Sequence, residues 1–152
     1  MRFANNRNVW RNLKDVFPHP YTEADADRWL AVQAIAEEPT DWAIEVDQLA
    51  VGGIGVTLRE GVHAKCAHFG YWLAEPYWGR GIMTGAVKTV APYAMRKFGL
   101  VRLEAPVFAW NPASMRILEK CGWQREGVLR ASVIKDGQIV DQVLYALIDR
   151  TP

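Results

Sequence analysis

Two closely spaced glycines, Gly79 and Gly81, fall where a predicted strand gives way to a predicted helix. Glycine has no Cβ, so the backbone can turn sharply there and approach a ligand closely. The first N–H groups of the following helix have no partner inside the helix, and the helix dipole makes this end positive. Such a turn can hold a phosphate or pyrophosphate. It lacks the third glycine of a dinucleotide-binding loop and the Gly-Lys-Ser/Thr of an ATP-binding loop.

The composition narrows the class of protein. With 152 residues, 50% of them hydrophobic, the chain can build one domain around one core. A net charge of +1 provides no broad basic surface for nucleic acid. We expect no membrane span, because no apolar run approaches roughly 20 residues, and no signal peptide. Cys66 and Cys121 fit a reduced, cytoplasmic protein, and neither they nor the histidines have metal-ligand spacing, so no metal site is expected.

The first half of the chain predicts two helices followed by strands. A helix is predicted over about 5–15, and a second is predicted from an N-cap at Thr22 to about Glu37. Asp25 would complete a capping box with Thr22. Strands are predicted at 42–46, 49–58 and 65–74, and the first two are close enough in sequence to form an antiparallel hairpin.

The helix after Gly81 has apolar residues at helical spacing as far as Phe98. Pro92 lies inside this pattern and is expected to kink the helix. Gly99 is a natural residue to end it. A strand is predicted next, at 101–107. This strand–helix–strand unit should place its two strands parallel to each other.

A further helix is predicted after Asn111, which would serve as its N-cap and is followed by a proline suited to the first helical position. Gly122 would end this helix. Two final strands are predicted at 123–134 and 138–148. The Asp-Gly pair between them is a strong signal for a tight hairpin turn.

Three segments, 70–73, 76–84 and 111–123, carry a resemblance to a known family. They read Gly-Tyr-Trp-Leu, Pro-Tyr-Trp-Gly-Arg-Gly-Ile-Met-Thr and Asn-Pro-Ala-Ser-Met-Arg-Ile-Leu-Glu-Lys-Cys-Gly-Trp. They resemble the GNAT superfamily of acyl-CoA-dependent N-acetyltransferases, and within it the RimJ/RimL-like branch of ribosomal-protein N-terminal acetyltransferases. The likeness covers nearly the whole chain from residue 5 and implies one GNAT-like domain, residues 1–152.

The resemblance implies an α/β fold. Its mixed sheet has antiparallel hairpins, a central parallel pair splayed apart for CoA, and helices on both faces. The family normally begins with a strand and a helix before the position of Asn5, so the resemblance implies that the first strand is missing here and that the domain is short at its N-terminus. We therefore expect an unpaired sheet edge, which would favour a homodimer.

The resemblance also implies acetyl-CoA as the acyl donor, lying between the two parallel strands. The pantetheine arm would pair with the first of these strands and contact Asn111, and the pyrophosphate would lie on the glycine turn. Trp78 and Met83 depart from the residues usual in the superfamily at this turn. The implied cofactor-binding residues are Trp72, Leu73, Ala74, Trp78, Gly79, Arg80, Gly81, Ile82, Met83, Thr84 and Asn111.

In this family an amine attacks the thioester directly, through a tetrahedral oxyanion. The superfamily often has a tyrosine general acid where this chain has Leu118, and the branch suggests the hydroxyl of Ser114 instead. His68 and Glu104, on the two strands that border the opening, are candidate general bases. A histidine with a pKa of about 6.5 suits that role. Glu75 is a third candidate but is better placed to support the turn, and a water relay is another option. The alternative for His68 is a purely structural hydrogen bond.

The sequence therefore predicts an acetyl-CoA-dependent N-acetyltransferase acting on a primary amine. The acceptor would be a protein N-terminus or a small amine such as an aminoglycoside, a polyamine or an amino-acid derivative. The alternative is a non-catalytic acyl-CoA-binding or assembly module of the same fold, which the missing strand and the missing tyrosine favour.

Overall fold

The computed structural model describes residues 3–149, which form four α-helices and six β-strands. Short 3-10 turns follow the second strand and the third. The helices are α1 (Arg7–Trp10), α2 (Glu23–Ala34), α3 (Ile82–Phe98) and α4 (Pro112–Lys120), and the strands are β1 (Asp41–Val46), β2 (Leu49–Leu58), β3 (Cys66–Leu73), β4 (Arg102–Phe108), β5 (Gln124–Lys135) and β6 (Gln138–Ile148).

All six strands belong to one sheet in the order β1-β2-β3-β4-β6-β5. Every neighbouring pair is antiparallel except β3 and β4, which are parallel. The predicted mixed sheet with a central parallel pair is therefore confirmed. Within residues 3–149 no strand precedes α1, so β1 forms one edge of the sheet and β5 the other.

The parallel pair separates soon after it begins. Cys66–His68 pair with Arg102–Glu104, and beyond these residues β3 and β4 continue without pairing to each other. One backbone hydrogen bond flanks each end of β4: the Ala109 N–H donates to the Asp141 carbonyl, and the Asp149 N–H donates to the Val101 carbonyl. Since bonding alternates along a strand, the odd-numbered residues of β4 bond to β6. Even-numbered residues consequently direct their backbone groups toward β3.

Pro106 is one of these even-numbered residues, and proline has no N–H to donate. If the parallel register continued, Pro106 would lie opposite Gly70, and the ladder would lack a hydrogen bond there. The pairing of β4 with β6 loses no hydrogen bond at Pro106, because the proline nitrogen does not point toward β6. Pro106 therefore lies where the two strands diverge and helps to keep the opening between them.

One face of the sheet packs against α3 and α4 and holds most of the core. Val56, Phe69 and Leu103 of the strands are buried there together with Val87 of α3 and Leu118 of α4. Each fully buried side chain of this size contributes about 1.5–3 kcal/mol to folding. This packing fixes α3 across the parallel pair, with its first turn next to the opening.

The predicted strands and hairpins are confirmed to within one or two residues, and both Thr22 and Asp25 make the capping-box bonds. The first helix is much shorter than predicted, because the residues after α1 make tight turn bonds, such as Leu13 N–H to the Trp10 carbonyl at 3.0 Å. The second helix ends three residues early, and none of its residues is buried. The third remains one helix through Pro92.

Gly55 and Gly70 face each other on β2 and β3 and give a matched test of the sheet. A Cβ at Gly55 would lie 2.2 Å from a carboxylate oxygen of Asp41 and 2.8 Å from the Thr40 carbonyl, whereas a Cβ at Gly70 would meet nothing within 4 Å. We expect Gly55→Ala to lower the free energy of unfolding by about 1–3 kcal/mol, measured by denaturant titration. Gly70→Ala should not lower it, and equal losses in both variants would contradict this packing.

Candidate functional site

The glycine turn and the start of α3 form a cradle of free N–H groups. Gly79 and Gly81 have φ angles of 75° and 76°, which L side chains rarely adopt, and a Cβ on either would meet nothing within 4 Å. No side chain caps α3, and its first intrahelical bond runs from Gly85 N–H to the Gly81 carbonyl at 3.0 Å. The N–H groups of residues 82–84 thus have no partner within the helix and can bind an anion.

The residues before the turn hold it in place. The Glu75 carboxylate accepts hydrogen bonds from the side-chain amides of Asn6 at 2.8 Å and Asn8 at 2.9 Å, which ties α1 to the turn. The Trp78 indole N–H donates to the Leu73 carbonyl at 2.7 Å, so this tryptophan fixes the turn to the end of β3. Glu75 therefore positions the turn, since both its carboxylate oxygens already have partners.

The remaining predicted residue of the turn, Arg80, is exposed. Its guanidinium carbon lies 5.3 Å from the centre of the Tyr77 ring. A cation at this distance is attracted by the aromatic face. The contact keeps a positive charge beside the cradle.

The edge of β3 that faces the opening presents alternate residues. The Ala74 N–H donates to the Val51 carbonyl at 2.8 Å, so even-numbered residues of β3 bond to β2. Tyr71 and Leu73 therefore direct their backbone groups into the opening. Of the three strand residues predicted to bind the cofactor, Leu73 faces the opening with its backbone, whereas Trp72 and Ala74 face β2.

A pair of hydroxyl groups lies on the α3–α4 side of the opening. Asn111 caps α4 as predicted, and its side-chain oxygen accepts the Ser114 N–H at 3.2 Å. The Ser114 Oγ lies 2.8 Å from the Tyr71 hydroxyl, which also donates to the Ser114 carbonyl at 3.3 Å. Burial raises the pKa of Tyr71 well above its ordinary value, with the Ser114 bond opposing that shift, so the phenol stays protonated.

Tyr71 is a site residue that the sequence reasoning did not single out. The signal was the alternation along β3, which places Tyr71 on the same face as Phe69 and Leu73, both buried. A buried tyrosine hydroxyl needs a hydrogen-bond partner, and the only hydroxyl in the neighbouring motif is that of Ser114. Leu118, at the position of the superfamily's tyrosine, is fully buried in the core.

His68 and Glu104 lie side by side on the other face of the sheet. They are partners in the parallel ladder, and the His68 Nδ1 is 3.9 Å from a Glu104 carboxylate oxygen. This carboxylate already accepts from Arg59 at 3.2 Å and from the Arg102 Nε at 2.7 Å. The Nδ1 of His68 is buried and has no hydrogen-bond partner among the described residues.

The surroundings of His68 keep its imidazole neutral. Burial lowers the pKa of His68, the Lys14 ammonium lowers it further, the Glu104 carboxylate opposes the shift, and the Arg59 guanidinium adds to it. A neutral imidazole has one nitrogen able to accept a proton. His68 is therefore better suited than Glu104 to act as a base, because two guanidinium groups already occupy the Glu104 carboxylate.

A pocket of about 520 Å³ lies on this second face. Its floor comes from the parallel pair and β6, and its walls come from β5 and from the loop after α1. Trp72 flanks the same face, where it lies over Gly53 and contacts the Phe17 ring at 5.4 Å. The lining residues are Lys14, Asp15, His68, Glu104, Pro106, Phe108, Leu129, Val133, Ile134, Lys135, Gln142 and Leu144.

Two other kinds of site are absent from the described part of the chain. Among residues 3–149 no group of three or more histidine, cysteine or acidic residues is arranged to hold a metal ion. Over the same residues, no helix has the length and apolar character needed to cross a membrane. Cys66 and Cys121 are both free, and the Cys121 thiol donates to the Thr84 carbonyl at 3.6 Å, linking α4 to α3.

The comparison with known families agrees with this geometry. Residues 1–124 match the acetyltransferase (GNAT) domain, so the chain belongs to the GNAT acetyltransferase family. The match includes the glycine turn, β4 and α4.

Individual relatives share the sequence or the fold. A probable N-acetyltransferase of Bacillus subtilis, YjcK, is 41% identical over 85 residues, 56% of this chain and 47% of that protein. The ribosomal protein uS5-alanine N-acetyltransferase of Escherichia coli is 29% identical over 103 residues, 68% of this chain and 52% of that protein. The chain spans about half the length of the curated relatives it matches.

One structural neighbour is RimL, a ribosomal L7/L12 α-N-protein acetyltransferase solved in complex with coenzyme A. It superposes with a TM-score of 0.84 over 97% of this chain and 85% of that chain, at 19% sequence identity. This likeness confirms the GNAT fold.

The charges around His68 predict how its pKa responds to substitution. We expect the pKa of His68 in the wild-type protein to lie below the usual value of about 6.5. Lys14→Met removes a nearby positive charge and should raise the pKa of His68, whereas Lys97→Met, at the far end of α3, should leave it unchanged. An NMR titration of the imidazole checks this. A wild-type pKa at or above the usual value would contradict the described surroundings.

Proposed function

We propose that the protein is an N-acetyltransferase that transfers the acetyl group of acetyl-CoA to a primary amine by direct attack. The observation that carries this proposal is the opening between β3 and β4, which has the anion cradle at one end and candidate proton-handling groups on both faces. The family match over residues 1–124 and the single sheet support one domain over residues 1–152. Two free cysteines support a reduced, cytoplasmic setting.

The chain offers a specific group for each part of the donor. The free N–H groups of residues 82–84 and the backbone of Gly79–Gly81 would bind the pyrophosphate, with Arg80 beside them. The Tyr71 backbone and the Leu73 N–H would pair with the amides of the pantetheine arm, as an added strand would, whereas the Leu73 carbonyl accepts from the Trp78 indole. Asn111, at the start of α4, would contact that arm as well. The donor supplies a thioester that an amine can attack without an acyl-enzyme intermediate.

Ser114 would act as the general acid. Tyr71 keeps its proton, and its hydroxyl can donate it to the nearer Ser114 Oγ instead of the Ser114 carbonyl, which leaves the serine proton free for the departing thiolate. A thiol with a pKa of about 8.5 is a fair leaving group, so this protonation should contribute modestly. Tyr71 acts here through Ser114 and is a positioning residue.

His68 would act as the general base from the opposite face. Its neutral imidazole lines the pocket, where an acceptor amine must give up a proton, while its Nδ1 is buried 3.9 Å from the Glu104 carboxylate. Because the pKa of His68 is lowered, the imidazole remains able to accept a proton at pH values below its usual range. Activity should therefore fall only when the pH drops through this lowered pKa.

Leu118 favours one second candidate, a non-catalytic acyl-CoA-binding module of the same fold. Leucine cannot donate a proton, and Leu118 replaces the family's tyrosine. Such a module would bind acetyl-CoA, but no free CoA thiol would be released when a panel of amines is added. The Tyr71–Ser114 pair supports the enzyme over this candidate.

The cradle predicts a specific loss of donor binding. Gly81→Ala forces alanine into a left-handed conformation, which costs about 1–2 kcal/mol, and places a methyl group where phosphate oxygens would lie. We expect the Kd for acetyl-CoA to rise at least about tenfold by isothermal titration. Gly85→Ala, one turn into α3, should keep the Kd and stabilise the helix by about 1 kcal/mol. An unchanged Kd in Gly81→Ala, or no wild-type binding at millimolar acetyl-CoA, would refute the site.

The hydroxyl pair predicts a shared loss of rate. Ser114→Ala should lower kcat about tenfold with little change in the KM for acetyl-CoA, because its proton is needed only as the thiolate leaves. Tyr71→Phe should lower kcat in the same direction. The double variant should be no slower than Ser114→Ala, since both act through one hydroxyl.

Steady-state kinetics with the acetyl-CoA concentration varied measures these effects. Independent, additive losses in the double variant would show that Tyr71 does not act through Ser114. His68→Gln adds a control on the other face, because it should remove the acidic limb of the pH–rate profile that the two hydroxyl variants retain.

A further inference from the structure

The carboxylates of the pocket are already neutralised by cations of the chain itself. Asp15 accepts from the Lys135 ammonium at 2.6 Å, and Glu104 is bonded by Arg59 and Arg102. Arg102 is in turn held by Glu126 at 2.8 Å, which fixes its guanidinium. A second positive charge on an acceptor would therefore find no free carboxylate among these lining residues.

The Asp15–Lys135 pair is costly to break. The Lys135 side chain is only 2% exposed, and its ammonium lies 3.7 Å from the centre of the Trp10 ring. An incoming ammonium that drew Asp15 away would leave this buried ammonium without its anionic partner, and an uncompensated buried charge is strongly destabilising. Asp15 is itself 74% exposed, but Lys135 already balances its charge, so it attracts a polycation less than a free carboxylate would.

The one charged group of the pocket lining that has neither an ion pair nor a charged hydrogen-bond partner among the described residues is a cation. The Lys14 ammonium makes no ion pair with any residue of the described part of the chain, and Lys14 lines the pocket together with His68. Apolar side chains form much of the remaining lining, among them Phe108, Leu129 and Leu144. The pocket therefore combines an apolar surface with one free cation at its rim.

Resting on the proposed function, we propose that the acceptor is a monoamine with an apolar body and a carboxylate near the amine. Lys14 binds the carboxylate, the apolar wall binds the body, and the amine reaches His68. Diamines, polyamines and aminoglycosides are poor acceptors because they bring a second positive charge to Lys14. The carboxylate can come from a free amino acid or from an acidic residue at the N-terminus of a polypeptide.

The test compares acceptors that differ in charge. Leucine and 3-methylbutylamine differ by one carboxylate, and 1,5-diaminopentane adds an ammonium to an apolar chain of similar length. Two peptides that begin with Glu or with Gln distinguish an N-terminal residue from a free amino acid. The quantity measured is the ratio of kcat/KM values between paired acceptors in wild type and Lys14→Met, so differences in amine basicity cancel.

We expect Lys14→Met to lower the leucine to 3-methylbutylamine ratio, or the Glu to Gln peptide ratio, about fivefold at low ionic strength, and added salt to do the same in wild type. Lys97→Met should leave both ratios unchanged. Wild-type turnover of 1,5-diaminopentane above 3-methylbutylamine, or ratios unaffected by Lys14→Met, would overturn this inference while leaving the acetyltransferase intact. Acetyl-CoA binding without acetylation of any amine would instead overturn the proposed function on which it rests.

Discussion

The join between the two halves of the sheet determines the rest of the structure. Among the described residues, three residue pairs, between Cys66–His68 and Arg102–Glu104, connect β1-β2-β3 with β4-β6-β5. Beyond them the strands diverge, and Pro106 provides no N–H with which to close the gap. The backbone groups of Tyr71 and Leu73 are thereby left facing an opening rather than a neighbouring strand. Because α3 connects β3 to β4, the glycine turn at its start lies at this opening.

The opening also separates two chemical environments. On the α3–α4 face, packing encloses Tyr71 with Ser114 and keeps the phenol protonated. On the other face, burial and the Lys14 charge keep the His68 imidazole neutral. A proton donor and a proton acceptor can therefore be available at the same pH, on opposite sides of the proposed thioester position. This arrangement follows from strand alternation, since residues 68 and 71 direct their side chains to opposite faces.

Much of this fold could be predicted from the sequence because the local signals agree with one another. Tight-turn residues such as Asp136 and Gly137, both with positive φ, set the hairpin, and Asn111 and Gly122 set the ends of α4. The first helix was predicted too long because apolar residues at helical spacing resemble a helix. In the structure, the Trp10 ring instead stacks on His19, the Phe17 ring contacts Trp72, and the chain turns between them.

The site was predictable where it depends on local sequence and unpredictable where it depends on distant partners. The glycine turn and the cap at Asn111 are local. The Asp15–Lys135 and Glu104–Arg59 ion pairs join residues 120 and 45 positions apart, so the local sequence does not predict them. For that reason Glu104 remained a candidate base beside His68 in the sequence analysis. Pro106 is evident in the sequence, but its effect on strand pairing depends on whether its nitrogen faces β3 or β6, which only the structure shows.

We propose that acetyl-CoA lies in the opening between β3 and β4. Backbone hydrogen exchange, followed by NMR with and without CoA, tests it most directly because exchange reports on individual N–H groups. Bound CoA should slow exchange at Tyr71 or Leu73 and at residues 79–84, and should leave the β1–β2 hairpin unchanged. Protection confined to residues outside the opening and the glycine turn, with CoA bound, would contradict it.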